Sequence, residues 1–172
     1  LSLVAGVAVA EALRAQGVAN VGLKWPNDIV VDGQKLGGLL VEGGGEFAGP
    51  ARAVIGLGIN VRMPAAFAAD ITQPWTDLAT LLGDDIERNA VVAWLLQALL
   101  PALEEFERDG LPPFLPRYAA LDSLAGRTVR VDDGGVMHEG QALGLADDGA
   151  LRVRIDGSER VFHAGEVSVR AQ

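Results

Sequence analysis

The chain predicts an α+β domain followed by a small β-barrel of SH3 type, and three observations carry that expectation. Apolar residues recur at helical spacing in residues 1–16 and again in the stretch NAVVAWLLQALLPALEEF. Between these helices lie short β-type runs bounded by glycine, proline and aspartate. Beyond Asp122 the pattern changes to five short alternating runs separated by DDGG, ADDG, IDGS and HAGE, a turn density that reads as a small barrel. We therefore expect one domain over residues 1–121 and a second over 122–172, with no long linker.

The elements follow in order. LSLVAGVAVAEALRAQ places Leu3, Val4, Val7, Ala8 and Ala10 at helical spacing and reads as a buried helix stopped at Gly17. VGLKW (21–25) is a short strand ended by Pro26. IVV (29–31) and QKLGGLLVE (34–42) are strands joined by Asp32-Gly33, a strong hairpin signal. EGGGEFAGP (42–50) reads as a loop, and ARAVIGLGINV (51–61) as a further apolar strand. Residues 62–85 read as irregular, with a short helix at WTDLATLLG. Asp85 or Asn89 is the expected cap of the long helix, which runs to about Arg108 and is kinked at Pro101. PPFLPRYAAL (112–121) is a second short helix, and RTVRV, MHEGQALGL, LRVRI, RVF and VSVR are the barrel strands.

Composition excludes several functions. The 172 residues carry a net charge of −9, which argues against a nucleic-acid surface and against an anionic membrane. No apolar run reaches the roughly 18 residues of a membrane helix. Cysteine is absent, which removes disulfide and thiolate chemistry and fits a reducing, cytoplasmic setting. His138 and His163 lie apart with no partner at ligand spacing, and are expected as surface strand residues rather than zinc ligands. The chain opens at Leu1 with helical periodicity already under way and no basic leader, so it reads as beginning inside a domain rather than with a signal peptide. Neither G-x-G-x-x-G before a helix, nor G-x-x-x-x-G-K-[ST], nor G-x-S-x-G occurs.

One segment stands out for charge. Both lysines of the chain, Lys24 and Lys35, fall within LKWPNDIVVDGQKLGGLLVE, while the other twelve of the fourteen cationic residues are arginine. Lysine is a slim, mobile point charge and arginine a planar fork. A two-residue loop at Asp32-Gly33 would place Val30 opposite Lys35, Ile29 opposite Leu36 and Asp28 opposite Gly37. Asp28, Val30, Lys35, Gly37 and Leu39 then share one face; Ile29, Val31, Leu36 and Leu40 share the other, the core side. Gly37 and Gly38 carry no side chain, so the pattern is a shallow floor bearing one anion and one cation. A plain cross-strand ion pair with glycine bulges explains the same spacing. The GLGIN run (56–60) adds a second flat glycine patch that gives way to the amide of Asn60.

KWPNDI (24–29), QKLGGLLVE (34–42) and GLGINV (56–61), in that order, closely resemble biotin–protein ligase, and GEVSVR (165–170) resembles the end of its C-terminal domain. The resemblance spans the whole chain. It implies a class II synthetase-like catalytic core, a mixed sheet with helices, followed by the SH3-like barrel. It implies ATP, biotin and Mg²⁺ as ligands, biotinoyl-5′-AMP as the intermediate, and a lysine on the carrier domain of a carboxylase as acceptor. Through this resemblance Lys35 would bridge the carboxylate and the phosphate, and Asp28 would orient or deprotonate the acceptor amine. Gly37, Gly38 and Gly58 would approach the biotin rings. Asn27, Asp28 and Asn60 would serve ATP or Mg²⁺, with Asp28 and Asn60 as the metal candidates. Lys24 is expected to point away from Lys35's side or to the pocket rim.

The chain departs from the family in one respect: it contains no G-R-G-R-x-G segment, and Arg14, Arg52 and Arg62 are isolated. It reads on that ground as a fragment of a longer ligase, or as an incomplete form with impaired activity. Two rivals stay open, a lipoate or octanoate ligase and a non-catalytic carrier-docking or dimerisation module. Pairing of two copies through the hairpin sheet is a further expectation.

Overall fold

The computed structural model describes residues 1–44, 52–64, 66, 71–164 and 167–171. Helix α1 (Ser2–Ala15) is buried from Val4 through Ala10 and again at Ala12 and Leu13. A helix apolar on all sides must be covered on all sides. The sheet covers one flank, where Gly6 leaves room for the side chains of Leu23 and Leu39. The long helix covers another. The helix ends as expected, with Gly17 in the left-handed region at φ 91°.

Four strands follow, β1 (Val21–Lys24), β2 (Asp28–Val31), β3 (Gln34–Gly44) and β4 (Arg52–Ile59), in the order β1-β2-β3-β4. All three pairings are antiparallel, and the mixed character expected of the sheet is confined to two isolated parallel bridges, Leu23 with Asp122 and Lys35 with Trp75. Strand β3 runs two residues past the expected start of the loop; Gly45 to Pro50 lie outside the described residues.

The hairpin turns at Asp32 and Gly33 with φ of 48° and 78°, both positive as a tight primed turn requires. Its register departs from the expected one past the second pair. Val31 faces Gln34 and Val30 faces Lys35, but a bulge then sets Ile29 opposite Gly37 and Asp28 opposite Gly38. One extra residue in a strand reverses the facing of everything beyond it. Leu39 is therefore the buried residue at 3 % exposure, and Leu40 is turned outward at 62 %.

Helix α2 (Leu78–Leu82) is capped by Asp77, whose carboxylate accepts from Thr80 N–H. The long helix α3 (Arg88–Asp109) starts from Glu87, not from Asp85 or Asn89, and its first turn receives no side-chain cap. Its buried residues Val91, Leu95 and Ala102 hold it against the main core, and Pro101 lies within it. Helix α4 (Phe114–Ala119) closes this part, and Arg117 ties it to Glu11 of α1 and Glu105 of α3.

The five remaining strands are β5 (Thr128–Asp133), β6 (Val136–Leu145), β7 (Leu151–Ile155), β8 (Ser158–Phe162) and β9 (Val167–Ala171). They form one antiparallel sheet in the order β8-β7-β6-β5-β9, consistent with the SH3-like expectation. Gly165 and Glu166 of the GEVSVR run lie outside the described residues. His138 is half-buried and meets the Phe162 ring in a tilted arrangement with centroids 5.6 Å apart, whereas His163 is exposed.

The two sheets are joined through a residue of the first. Trp25 belongs to the apolar cluster of the second sheet, with Leu124, Val129, Val131, Leu151 and Val153. Its indole N–H donates to Gly149 C=O at 3.1 Å. Residues 121–123 also run along the outer edge of β1, with Leu23 N–H donating to Leu121 C=O and Ser123 N–H to Leu23 C=O.

Candidate active site

The hairpin brings three charges together. Asp28 Oδ1 lies 2.5 Å from Lys35 Nζ, and Asp28 Oδ2 lies 3.2 Å from Lys24 Nζ. Lys24 thus stands on the same side as Lys35 and lines the hollow beside it, which removes the first of its two expected placements and leaves the second. The cause is the register: Lys24 pairs directly with Asp28 across β1 and β2, so their side chains share a face. All three groups are partly buried, with side-chain exposures of 27 % for Lys24, 16 % for Asp28 and 33 % for Lys35. Screening by water is reduced there, so the carboxylate steers both ammonium groups more strongly than at an open surface.

The bulge divides the glycines by task. A side chain at Gly38 would stand 3.5 Å from Asp28 Oδ1 and 3.7 Å from Lys35 Cε, so Gly38 forms the floor beside the charges. A Cβ at Gly37 would collide with Gly58 C=O and approach Ile59 Cδ1 at 2.7 Å. Gly37 therefore permits close strand packing on the core side, and its backbone alone reaches the cleft. A Cβ at Gly58 would meet Gly38 C=O at 3.9 Å, an ordinary contact, so Gly58 shares the floor with Gly38.

A cleft of about 350 Å³ lies over this floor, lined by Lys35, Gly37, Gly38, Gly58, Asn60 and Trp75, among others. That volume suits a small ligand. The wall is set by backbone pairing, because Lys35 N–H donates to Pro74 C=O and Thr76 N–H to Lys35 C=O. Asn60 locks the corner, its amide donating to Thr76 C=O at 3.1 Å and to Lys35 C=O at 3.4 Å. Asn27 likewise donates to Leu39 C=O at 2.7 Å. The Asn60 amide is thus occupied on its donor side by two carbonyls and that of Asn27 by one.

Trp75 was not foreseen. It opens the WTDLATLLG run read as a short helix, whereas the helix begins at Leu78 and Trp75 bridges to Lys35, a pairing between residues 40 apart in sequence. The arginines were missed for a similar reason. A second, wider cleft of about 720 Å³ adjoins at Lys35 and is lined also by Lys24, Asp28, Gln73, Arg127 and Arg170. Arg170 comes from β9 and Arg127 immediately precedes β5, so a chain of net charge −9 concentrates four cations around one hollow. The described residues hold no group of three or more His, Cys, Asp or Glu that would suit a metal ion.

A bare glycine floor, an indole wall and clustered cations thus lie side by side. Residues 1–60 match the Biotin/lipoate A/B protein ligase family, and residues 125–170 match the Biotin protein ligase C terminal domain. The chain is thus built of biotin protein ligase family domains. It is 39 % identical over 171 residues to the Bifunctional ligase/repressor BirA of Escherichia coli, covering 99 % of this chain and 53 % of that protein. It is 35 % identical to the Biotin--[acetyl-CoA-carboxylase] ligase of Mycobacterium tuberculosis, covering 97 % of this chain and 61 % of that one. The chain spans about half the length of the curated relatives it matches. In structure it is similar to the biotin protein ligase of Aquifex aeolicus in complex with biotin and ATP, with a TM-score of 0.83 and 26 % identity over 99 % of this chain and 71 % of that one.

Proposed function

We propose that the protein is a biotin–protein ligase, which joins biotin to AMP and then passes the biotinoyl group to a lysine of a carboxylase carrier domain. The observation that carries this reading is Lys35, held by Asp28 at the edge of the glycine-floored cleft. Likeness to a ligase that binds biotin and ATP supports it.

In the first step a carboxylate oxygen of biotin attacks the α-phosphorus of ATP, and the bond to the β-phosphate breaks to release pyrophosphate. Two anions must meet, and an ammonium between them offsets their repulsion most where charge develops. Lys35 takes that role, leaving Asp28 for the incoming anions as they compete for it. Lys24, Arg127 and Arg170 make the adjoining hollow attractive to the pyrophosphate. Trp75 offers a flat face to the purine. Gly38 and Gly58, with the backbone of Gly37, take the biotin rings.

In the second step the carrier's lysine nitrogen attacks the acyl carbon, and AMP departs with the bridging oxygen. The amine must lose a proton, and Asp28 is the carboxylate in reach of the site. Asn60 and Asn27 take polar contacts with the nucleotide.

The residues do not fit a resident Mg²⁺. Asp28, the carboxylate among the candidates, already has an ammonium on each oxygen, and hard cations want several unencumbered oxygens. Magnesium enters this reading as the counter-ion of ATP, and no step passes through Asp28 or Asn60 as ligands. We place residues 1–121 in the catalytic domain and 122–172 in the C-terminal one, and the protein in the cytoplasm. A homodimer and the absence of DNA contacts through this chain complete the reading.

An assay with biotin, ATP and an isolated carrier domain tests it. Assayed in a longer protein that carries this chain, biotinoyl-AMP and pyrophosphate should form, and Lys35→Ala should lower their formation about 10²–10³-fold with folding intact. The family match also embraces lipoate, so lipoate should be run in place of biotin. Unchanged turnover in Lys35→Ala, or a preference for lipoate, overturns the proposal.

A further inference from the structure

Helix α3 carries two separate apolar surfaces. Val91, Leu95 and Ala102 are buried against the main core. Val92, Leu96 and Leu100 stand outside it, at 53 %, 50 % and 58 % exposure. A single exposed apolar residue is ordinary, but three at a spacing of four form one continuous ridge along a helix. Both clefts of the candidate site are lined by other elements, so the ridge serves something else.

Its ends are charged, with opposite signs. Continuing the spacing of four leads to Arg88 at one end and Glu104 at the other, both exposed. The order Arg88, Val92, Leu96, Leu100, Glu104 is complementary to itself when reversed: Arg88 meets Glu104, Val92 meets Leu100, and Leu96 meets its own copy. Arg88 is the first residue of α3, where a cation opposes the helix dipole, so the helix alone gives no reason for a positive charge there. Beyond Glu104, Arg108 is bonded to Asp109 at 2.7 Å, and the charge of Glu104 bears on it as well.

We propose that this ridge is an interface between two copies of the protein, packed antiparallel about a two-fold axis at Leu96. Rows of this spacing on two helices run alongside each other when the helices cross at about 50°. The apolar residues then form the centre and the charges the rim, where the helix surfaces curve apart and long side chains span the gap. A two-fold makes each contact twice, so two Arg88–Glu104 pairs close one interface. Three apolar residues per copy are few beside a standard interface, so the dimer is weak and dissociates on dilution. This gives the homodimer of the functional reading a surface other than the hairpin sheet; the surface itself rests on the ridge and its charges, not on ligation.

Sedimentation equilibrium of a longer protein that carries this chain tests the surface. The native protein should pass from monomer to dimer as its concentration rises. Leu96→Glu sets two carboxylates face to face on the axis and should leave monomer alone. Arg88→Glu sets a carboxylate against Glu104 twice and should weaken dimerisation about 10- to 100-fold, while Arg88→Glu combined with Glu104→Arg should restore it. Arg88→Glu suits the helix dipole, so folding should be kept, which circular dichroism checks. A native protein that stays monomeric overturns the inference, as does a dimer that survives Leu96→Glu. A double charge reversal that fails to restore the dimer overturns the antiparallel pairing. Biotinoyl-AMP formation should be unchanged in all these variants, and its absence from a protein that dimerises as described counts against the function and not against this surface.

Discussion

Asp77 shows how a single carboxylate fixes one wall of the cleft. It is 5 % exposed, and it accepts from Met63 N–H at 2.7 Å and from Thr80 N–H at 2.8 Å. Burial pushes its carboxyl up, but the bonds from Thr80 and Met63, with the charge of Arg62, outweigh this and hold it below the usual carboxylate range. A lowered folded value contributes stability that is present above the unfolded value of 3.8 and lost as the pH falls through the folded one. Urea unfolding at pH 7 should show Asp77→Ala less stable by about 1–2 kcal/mol, and the difference should shrink as both proteins are taken below about pH 3.8. Lys35 belongs to the same scale. Lys35→Arg should not restore adenylation, because a planar fork cannot follow charge from carboxylate to phosphate in the space a slim ammonium occupies.

The hairpin is the element on which the site depends, and its glycines make opposite predictions. At Gly37 an added methyl meets Gly58 C=O within the sheet, where backbone has to move. Gly37→Ala should lower stability by about 1–3 kcal/mol, read as a fall in denaturation midpoint. At Gly38 the nearest atoms stand at 3.5 Å, an ordinary contact. Gly38→Ala should fold normally and instead weaken biotin binding, which calorimetry reads directly. Equal losses of stability in the two variants would remove the bulge from the explanation. The hairpin itself was legible: Asp32-Gly33 fixed the turn, and the first two pairs follow from it. The bulge was not, because Leu36-Gly37 packs against Ile59 of β4, a contact that no local pattern in β2 and β3 contains.

At the scale of the molecule, Trp25 couples the two sheets. It sits in the W-P-N-D motif beside the charged site, yet it is buried at 2 % exposure within the core of the second sheet. Leu3 and Leu145 pack against both cores and extend the junction. Trp25→Ala should be less stable by about 3–5 kcal/mol, and unfolding followed by probes in the two sheets should cease to coincide. If the two probes still report one transition, the junction is held by other contacts. The same coupling explains why Arg127 and Arg170 can share a hollow with Lys24 and Lys35.

The sequence by itself determined the element order, the tight turn, the clustering of both lysines and the family, since these depend on residue type and short spacing. The ends of α1, the helix at Leu78 and all five later strands follow from periodicity and turn residues in the same way. Tertiary structure decided which glycine floors the site, that Lys24 joins Lys35 on Asp28, and that Trp75, Arg127 and Arg170 surround the hollow. Each of those depends on contacts between segments far apart along the chain, where burial and strand register, and not local preference, set the side chain's direction.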